Sequence, residues 1–181
     1  MDREEIIGVI CDLYEELAIN ELGFDLKEIC KKLEINLIPY SSYEKKEIFL
    51  QFDRDGFNII NSLGNKIEIY YNDQIEPFQR IYFTIPHEIG HIVLNHNTEY
   101  GNETRKQNKE ANIFALEFYC PLCLIIHNKL NTKSDLISTF GITSGYADVI
   151  LDKLNKRSKT LSLNEKRLVE IYKKNKLNKT K

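Results

Sequence analysis

The sequence predicts an α+β fold, mostly helical, with a small antiparallel sheet ahead of one central helix and a helical C-terminal part. Three observations carry that expectation. Apolar residues recur at spacings of three and four near both ends of the chain. Between them lies a β-branched and aromatic stretch punctuated by Asp55-Gly56 and Gly64-Asn65. Helical periodicity then returns at Phe83 and persists to the end. At 181 residues, 42% hydrophobic and 29% charged, the chain can bury a core without staples.

Ile6, Ile7, Ile10, Leu13, Tyr14 and Leu17 share one helical face within residues 3–21, and Gly23 stops the pattern. A shorter helix is expected over 25–33, opened by Asp25, followed by a strand at 35–39 ended by proline. Strands are expected at 47–52, 57–60 and 66–71, where Ile67 and Ile69 face one way and Glu68 and Tyr70 the other. A helix then starts near Thr84, the expected N-cap, with Pro86 in its first turn. Further helices are expected at 109–121, 122–130, 134–140, 143–155 and 161–173, with disorder from about 174. The division this suggests is a main domain over 1–130, a helical extension over 131–175, and a basic tail over 176–181.

Net charge is −2 but unevenly spread. Residues 1–150 carry 14 Lys and Arg against 24 Asp and Glu, whereas 151–181 carry 11 against 3. The basic end suits a nucleic acid, an acidic partner, or the acidic body of its own chain, with a solvated terminal helix the plainest reading. No run of about 18 apolar residues spans a membrane, and the acidic start lacks a signal-peptide pattern, so a cytoplasmic protein is expected. Cys11, Cys30, Cys120 and Cys123 then read as reduced core residues, although Cys120-Pro-Leu-Cys123 has metal or redox spacing.

The chemistry concentrates in His87-Glu-Ile-Gly-His91. On a helix, positions i and i+4 stack on one face, so His87 and His91 can grip one metal ion while Glu88 handles a proton. On these five residues alone, an amphipathic core helix with histidines at this spacing is the rival reading. A catalytic zinc site needs a third protein ligand. Asn97 occupies the place where a third histidine would extend the motif, and His96 would point away by about 100° on a continuing helix. Glu110 is the better candidate, on the next helix among Ala111, Phe114 and Ala115, with Glu117 as the fallback and a plain surface carboxylate as the rival. Gly90 would let that helix approach, at a propensity cost of about 1 kcal/mol. Asn112 is a candidate acceptor for the outer nitrogen of a ligand histidine. Tyr100, His96 and His127 are polar groups that could stabilise an oxyanion, and spacing selects none of them.

His87-Glu-Ile-Gly-His91, followed by Glu110-Ala-Asn-x-Phe-Ala and a helix-closing Pro121, resembles the ImmA/IrrE family of metallo-endopeptidases. The resemblance implies a zincin-like core, one zinc held by His87, His91 and Glu110, and Glu88 as general base. It also implies a protein substrate: a helix-turn-helix transcriptional repressor of a mobile element, phage or stress response. Cys120 departs from the aliphatic residue or methionine usual before the proline, which bears on packing. The segment around Phe140-Gly-Ile-Thr-Ser144 resembles a helix-turn-helix. The alternative is a non-catalytic regulator binding a repressor or DNA through its C-terminal helices. Direct nucleic-acid binding is not expected, because Ser144, Gly145, Tyr146, Asp148 and Asp152 offer no cation before Lys153.

Overall fold

The structure, a computed structural model, describes residues 1–45, 47–61, 66–96 and 104–179. It is α+β, with a small three-stranded mixed sheet among helices. Its contacts divide the chain into Asp25–Ala115 and a unit joining Met1–Phe24 to Leu116–Lys181. The boundary at 130 that the sequence suggests falls inside the second of these, where the first helix packs with the last.

The unit over Asp25–Ala115 holds the sheet. Helix α2 (Leu26–Lys32) is capped as expected by Asp25, whose carboxylate accepts from the Lys27 amide at 2.8 Å. Strand β1 (Ile35–Pro39) pairs parallel to β3 (Lys66–Tyr71), and β2 (Gly56–Asn61) pairs antiparallel to β3, in the order β1-β3-β2. The sheet is therefore mixed, since the strand before the expected antiparallel pair joins it too. Gly64-Asn65, the expected hairpin turn, lies outside the described residues.

Residues 47–52 form a helix, α3 (Glu47–Phe52), where a strand is expected. Glu, Leu and Gln favour helix, and the i, i+3 pair Phe49 and Phe52 meets rings that a strand here would not reach together. Phe49 lies 5.2 Å from Tyr40 and 5.3 Å from Tyr70, and Phe52 lies 5.8 Å from Phe57. Phe57 and Tyr70 are direct cross-strand partners with rings stacked at 5.1 Å. One face of the sheet is thus aromatic. The other carries Ile69, fully buried, towards helix α4 (Ile81–Val93).

A 3-10 turn at Phe78–Arg80 runs straight into α4, so the helix starts earlier than expected. Thr84 is consequently interior rather than capping, and its hydroxyl donates back to the Arg80 carbonyl at 3.2 Å. Helix α5 (Arg105–Tyr119) also starts earlier, behind a reciprocal cap in which Gln107 N–H donates to Thr104 Oγ1 and Thr104 N–H to Gln107 Oε1.

In the other unit, α1 (Arg3–Glu16) packs along α9 (Leu163–Lys179). Lys179 is still helical, beyond the point where disorder is expected, and residues 180–181 lie outside the described residues. The basic residues meet acidic ones on and just after α1: Arg167 with Asp12 at 2.7 Å, Lys174 with Glu15 at 3.2 Å, Lys179 with Glu21 at 2.9 Å. Of the destinations open to the basic end, its own chain takes these charges. Deeper in, Glu165 bonds both Arg3 (2.8 Å) and Arg157 (2.7 Å), while Arg3 also holds Glu117 at 2.6 Å. Glu117 thus serves an ion network. Burial pushes its carboxyl up, and the Arg3 guanidinium opposes the rise.

Helices α6 (Leu122–His127), α7 (Lys133–Phe140) and α8 (Ser144–Lys156) complete this unit, with Thr132 and Thr143 as the caps of the last two. All four cysteines are free and buried, and burial raises the thiols of Cys120 and Cys123, so neither is a ready thiolate. By length and composition Arg105–His127 is apolar enough to cross a membrane, but 78% of its window is buried inside the protein. Its apolarity is used in packing.

Candidate functional site

The site is built on α4 and α5 within the unit over Asp25–Ala115. Ile85 and Ile89 point α4 into the core at 3% and 0% exposure, which turns His87, Glu88 and His91 to the adjoining face. The two rings converge. His87 Nε2 and His91 Nε2 stand 3.0 Å apart, with ring centroids at 4.7 Å.

Gly90 supplies the approach of α5. A Cβ built there would meet Phe114 Cδ1 at 2.9 Å and Cβ at 3.1 Å. Phe114 is fully buried, as is Ala111 one turn earlier, and Glu110 stands beside Ala111. Gly90→Ala is expected to lower stability by about 1–2 kcal/mol, because overpacking against Phe114 outweighs a helix-propensity gain of about 1 kcal/mol. Thermal unfolding checks this, and Phe114→Leu in the same chain should recover part of the loss.

His96 takes a position that the sequence reading excludes. Helix α4 does not continue past Val93. Asn95 adopts a left-handed backbone (φ 53°), the His96 amide donates to the His91 carbonyl at 2.9 Å, and the Asn95 amide donates to Ile92 at 3.1 Å. This paired cap turns the chain back and sets the residue after it over the residue that starts the last turn. Both residues are histidines here, with His96 Nδ1 lying 3.1 Å from His91 Nδ1. His96 Nε2 in turn lies 3.0 Å from Glu110 Oε2. The local signal was Asn95, the residue type other than glycine that most readily takes the left-handed cap.

These contacts constrain the tautomers. A carboxylate only accepts, so His96 Nε2 carries the proton given to Glu110. Where His96 Nδ1 accepts, the donor is His91 Nδ1–H, and His91 Nε2 keeps its lone pair facing His87. Burial, together with the neighbouring His87 and His96 rings, lowers the His91 pKa to about 4. Burial also lowers that of His87, opposed by the amides of Asn112 and Asn108 facing its ring. Both rings are therefore neutral donors at neutral pH, the form a metal requires. Among the described residues no donor or acceptor closes a full hydrogen bond on the buried His87 Nδ1, although the Asn112 and Asn108 amides face the ring.

Glu88 is 6% exposed and accepts from Asn58 Nδ2 at 2.7 Å. A cavity of about 150 Å³ opens beside it, lined by His87, Glu88, Phe83, Thr84 and Asp53. Of the sequence candidates, the fold thus brings together His87, Glu88 and His91, and holds Glu110 one ring away through His96. Among the described residues no three His, Cys, Asp or Glu side chains gather on one point that would hold a metal. The donor types nevertheless suit one: two neutral imidazoles with converging nitrogens and a buried carboxylate on the adjacent helix. Tyr100 and Asn97 lie outside the described residues, and His127 is exposed at the end of α6.

The family model of the IrrE N-terminal-like domain, Peptidase_M78, matches residues 30–150, two thirds of the chain. The chain belongs to this peptidase family. No match is found among curated proteins or solved structures. The matched span contains the sheet, α4 and α5, so the histidine pair and Glu88 sit within the part of the chain that defines an IrrE-type peptidase.

Proposed function

We propose that this IrrE-type peptidase is a cytoplasmic zinc-dependent endopeptidase, and that its substrate is a helix-turn-helix transcriptional repressor of a mobile element, phage or stress response. The observation that carries the reading is the convergence of His87 Nε2 and His91 Nε2 at 3.0 Å beside a buried Glu88. His87, His91 and Glu110 would hold the ion, with Glu110 Oε2 anchored on His96. Zinc, when bound, polarises the scissile carbonyl and makes water a stronger acid. The Glu88 carboxylate takes the proton of the attacking water and returns it to the leaving amine nitrogen. Strand β2 lies at one edge of the sheet beside α4, and an extended peptide can add to such an edge through main-chain hydrogen bonds. Ile59 and Ile60, both over 40% exposed on β2, offer apolar contacts to that peptide.

The repressor itself rests on the resemblance to the ImmA/IrrE enzymes. DNA is not favoured as a partner, since Asp148 and Asp152 on α8 take Lys133 and Lys156 as ion-pair partners at 2.7 Å each. The test is to purify the full chain from zinc-containing medium, measure bound metal, and incubate it with the repressor encoded beside its gene. About one zinc per chain and cleavage products that vanish on chelation are expected. A metal-free protein that leaves the repressor intact after zinc is added overturns the reading.

A further inference from the structure

Asn58 occupies a position for which strand pairing alone gives no reason. It sits on β2 opposite Ile69, where a buried strand residue facing a helix is ordinarily apolar. Asn58 is 5% exposed, and its amide faces the carboxylate of Glu88 on α4.

The contact follows from how β2 lies on the helix. Alternate strand residues share a face, so Gly56 and Asn58 both turn towards α4. At Gly56 the approach is close enough that a Cβ would stand 2.8 Å from Thr84 Cγ2 and 2.8 Å from the Tyr70 carbonyl oxygen. Two residues along a strand advance about 6.6 Å, and four along a helix advance about 6 Å. The pairs Gly56 with Thr84 and Asn58 with Glu88 are therefore successive rungs of one strand-to-helix contact. Gly56 sets the spacing, and Asn58 delivers a donor to the carboxylate one turn on.

We infer that Asn58 is a positioning residue for the peptidase reaction: its Nδ2–H holds Glu88 Oε2 and so fixes the orientation of the carboxylate. This rests on the proposed role of Glu88 as base. The amide has no proton to give up and, with its NH2 towards the carboxylate, no lone pair to offer at that contact. Oε2 is thus held as an acceptor throughout. The bond also fixes rotation about the last torsion of Glu88, a soft, two-fold torsion otherwise. A base held in orientation loses less on reaching the transition state.

Two measurements on the full chain test this. The first is NMR of the Asn58 side-chain amide in the metal-free protein, assigned by its loss in Asn58→Leu. Its resonances should shift in Glu88→Gln, and resonances that stay in place overturn the inference. The second is turnover of the neighbouring repressor by the zinc-loaded protein. Asn58→Leu should lower kcat about 10- to 100-fold, the worth of a hydrogen bond to a charged group, with KM within about twofold and zinc content unchanged. Asn58→Asp preserves shape but presents an acceptor to an acceptor, so it should fall at least as far, whereas a purely space-filling role would spare it. Should the leucine variant fail to fold, Asn58→Ser carries the same comparison. Wild-type kcat in both Asn58→Leu and Asn58→Asp overturns the inference. A zinc-loaded wild type that cleaves nothing while the amide still responds to Glu88→Gln removes the peptidase reading and the positioning role with it, leaving a structural bond.

Discussion

Glu88→Gln is expected to lower kcat for repressor cleavage by about 10²- to 10⁴-fold, the usual contribution of a positioned general base, or about 3–5.5 kcal/mol of barrier. The substitution is informative because it changes so little else. Gln has nearly the same shape, and its carbonyl oxygen can accept the Asn58 Nδ2–H that Glu88 Oε2 accepts at 2.7 Å. The side chain should therefore stay in place, 6% exposed beside the cavity. His87 and His91 are untouched, so bound zinc should be unchanged by metal analysis. KM should change little, because the lost interaction is made in the transition state rather than in the ground state. A variant that retains zinc and turns over within about tenfold of wild type would assign the base to another group. One that loses zinc would mean that Glu88 is holding the histidines rather than moving a proton.

The parts of this site visible from sequence are those fixed by local spacing. His87 and His91 are one helical turn apart, so a helix alone puts them on one face, and Glu88 follows automatically. Gly90 was legible because a glycine inside a helix needs a close neighbour to justify it, and Phe114 is that neighbour. Asp25 as a cap was legible for the same local reason. What escaped the sequence depends on partners far along the chain or on a single backbone dihedral. Residues 47–52 mix strand formers (Ile48, Phe49, Phe52) with helix formers (Glu47, Leu50, Gln51), and the Tyr40 and Tyr70 rings brought up by other elements tip the balance to helix. Asn58 and Glu88 are 30 residues apart, and nothing local announces that they meet. Charge counting gave the sign of the C-terminal segment but not its destination, since Arg167 and Lys174 find Asp12 and Glu15 more than 150 residues away. His96 escapes any reading that continues α4 as a helix, because Asn95 turns the chain there.

Glu110→Ala is expected to weaken zinc binding by more than about a hundredfold, and the size of the loss separates two roles for this carboxylate. A protein zinc site is worth about 10–16 kcal/mol over its ligands, so one ligand contributes roughly 3 kcal/mol or more. A partner that merely orients a ligand typically costs about 10- to 100-fold when removed. Glu110 can do either, because its Oε2 holds His96 Nε2 and His96 Nδ1 touches His91 Nδ1. His96→Phe keeps the ring volume, removes both contacts, and should cost about 10- to 100-fold in zinc affinity by competition with a chelating dye. The double variant decides. If Glu110 acts on the ion only through His96 and His91, then either single change breaks the same chain and the double is no worse than Glu110→Ala. If Glu110 is itself a ligand, the Glu110→Ala loss exceeds that of His96→Phe, and the double exceeds both, because the orientation of His91 and the direct bond are separate contributions. The second pattern is the expected one. A buried carboxylate one ring away from two converging neutral imidazoles would complete the donor set of a catalytic zinc.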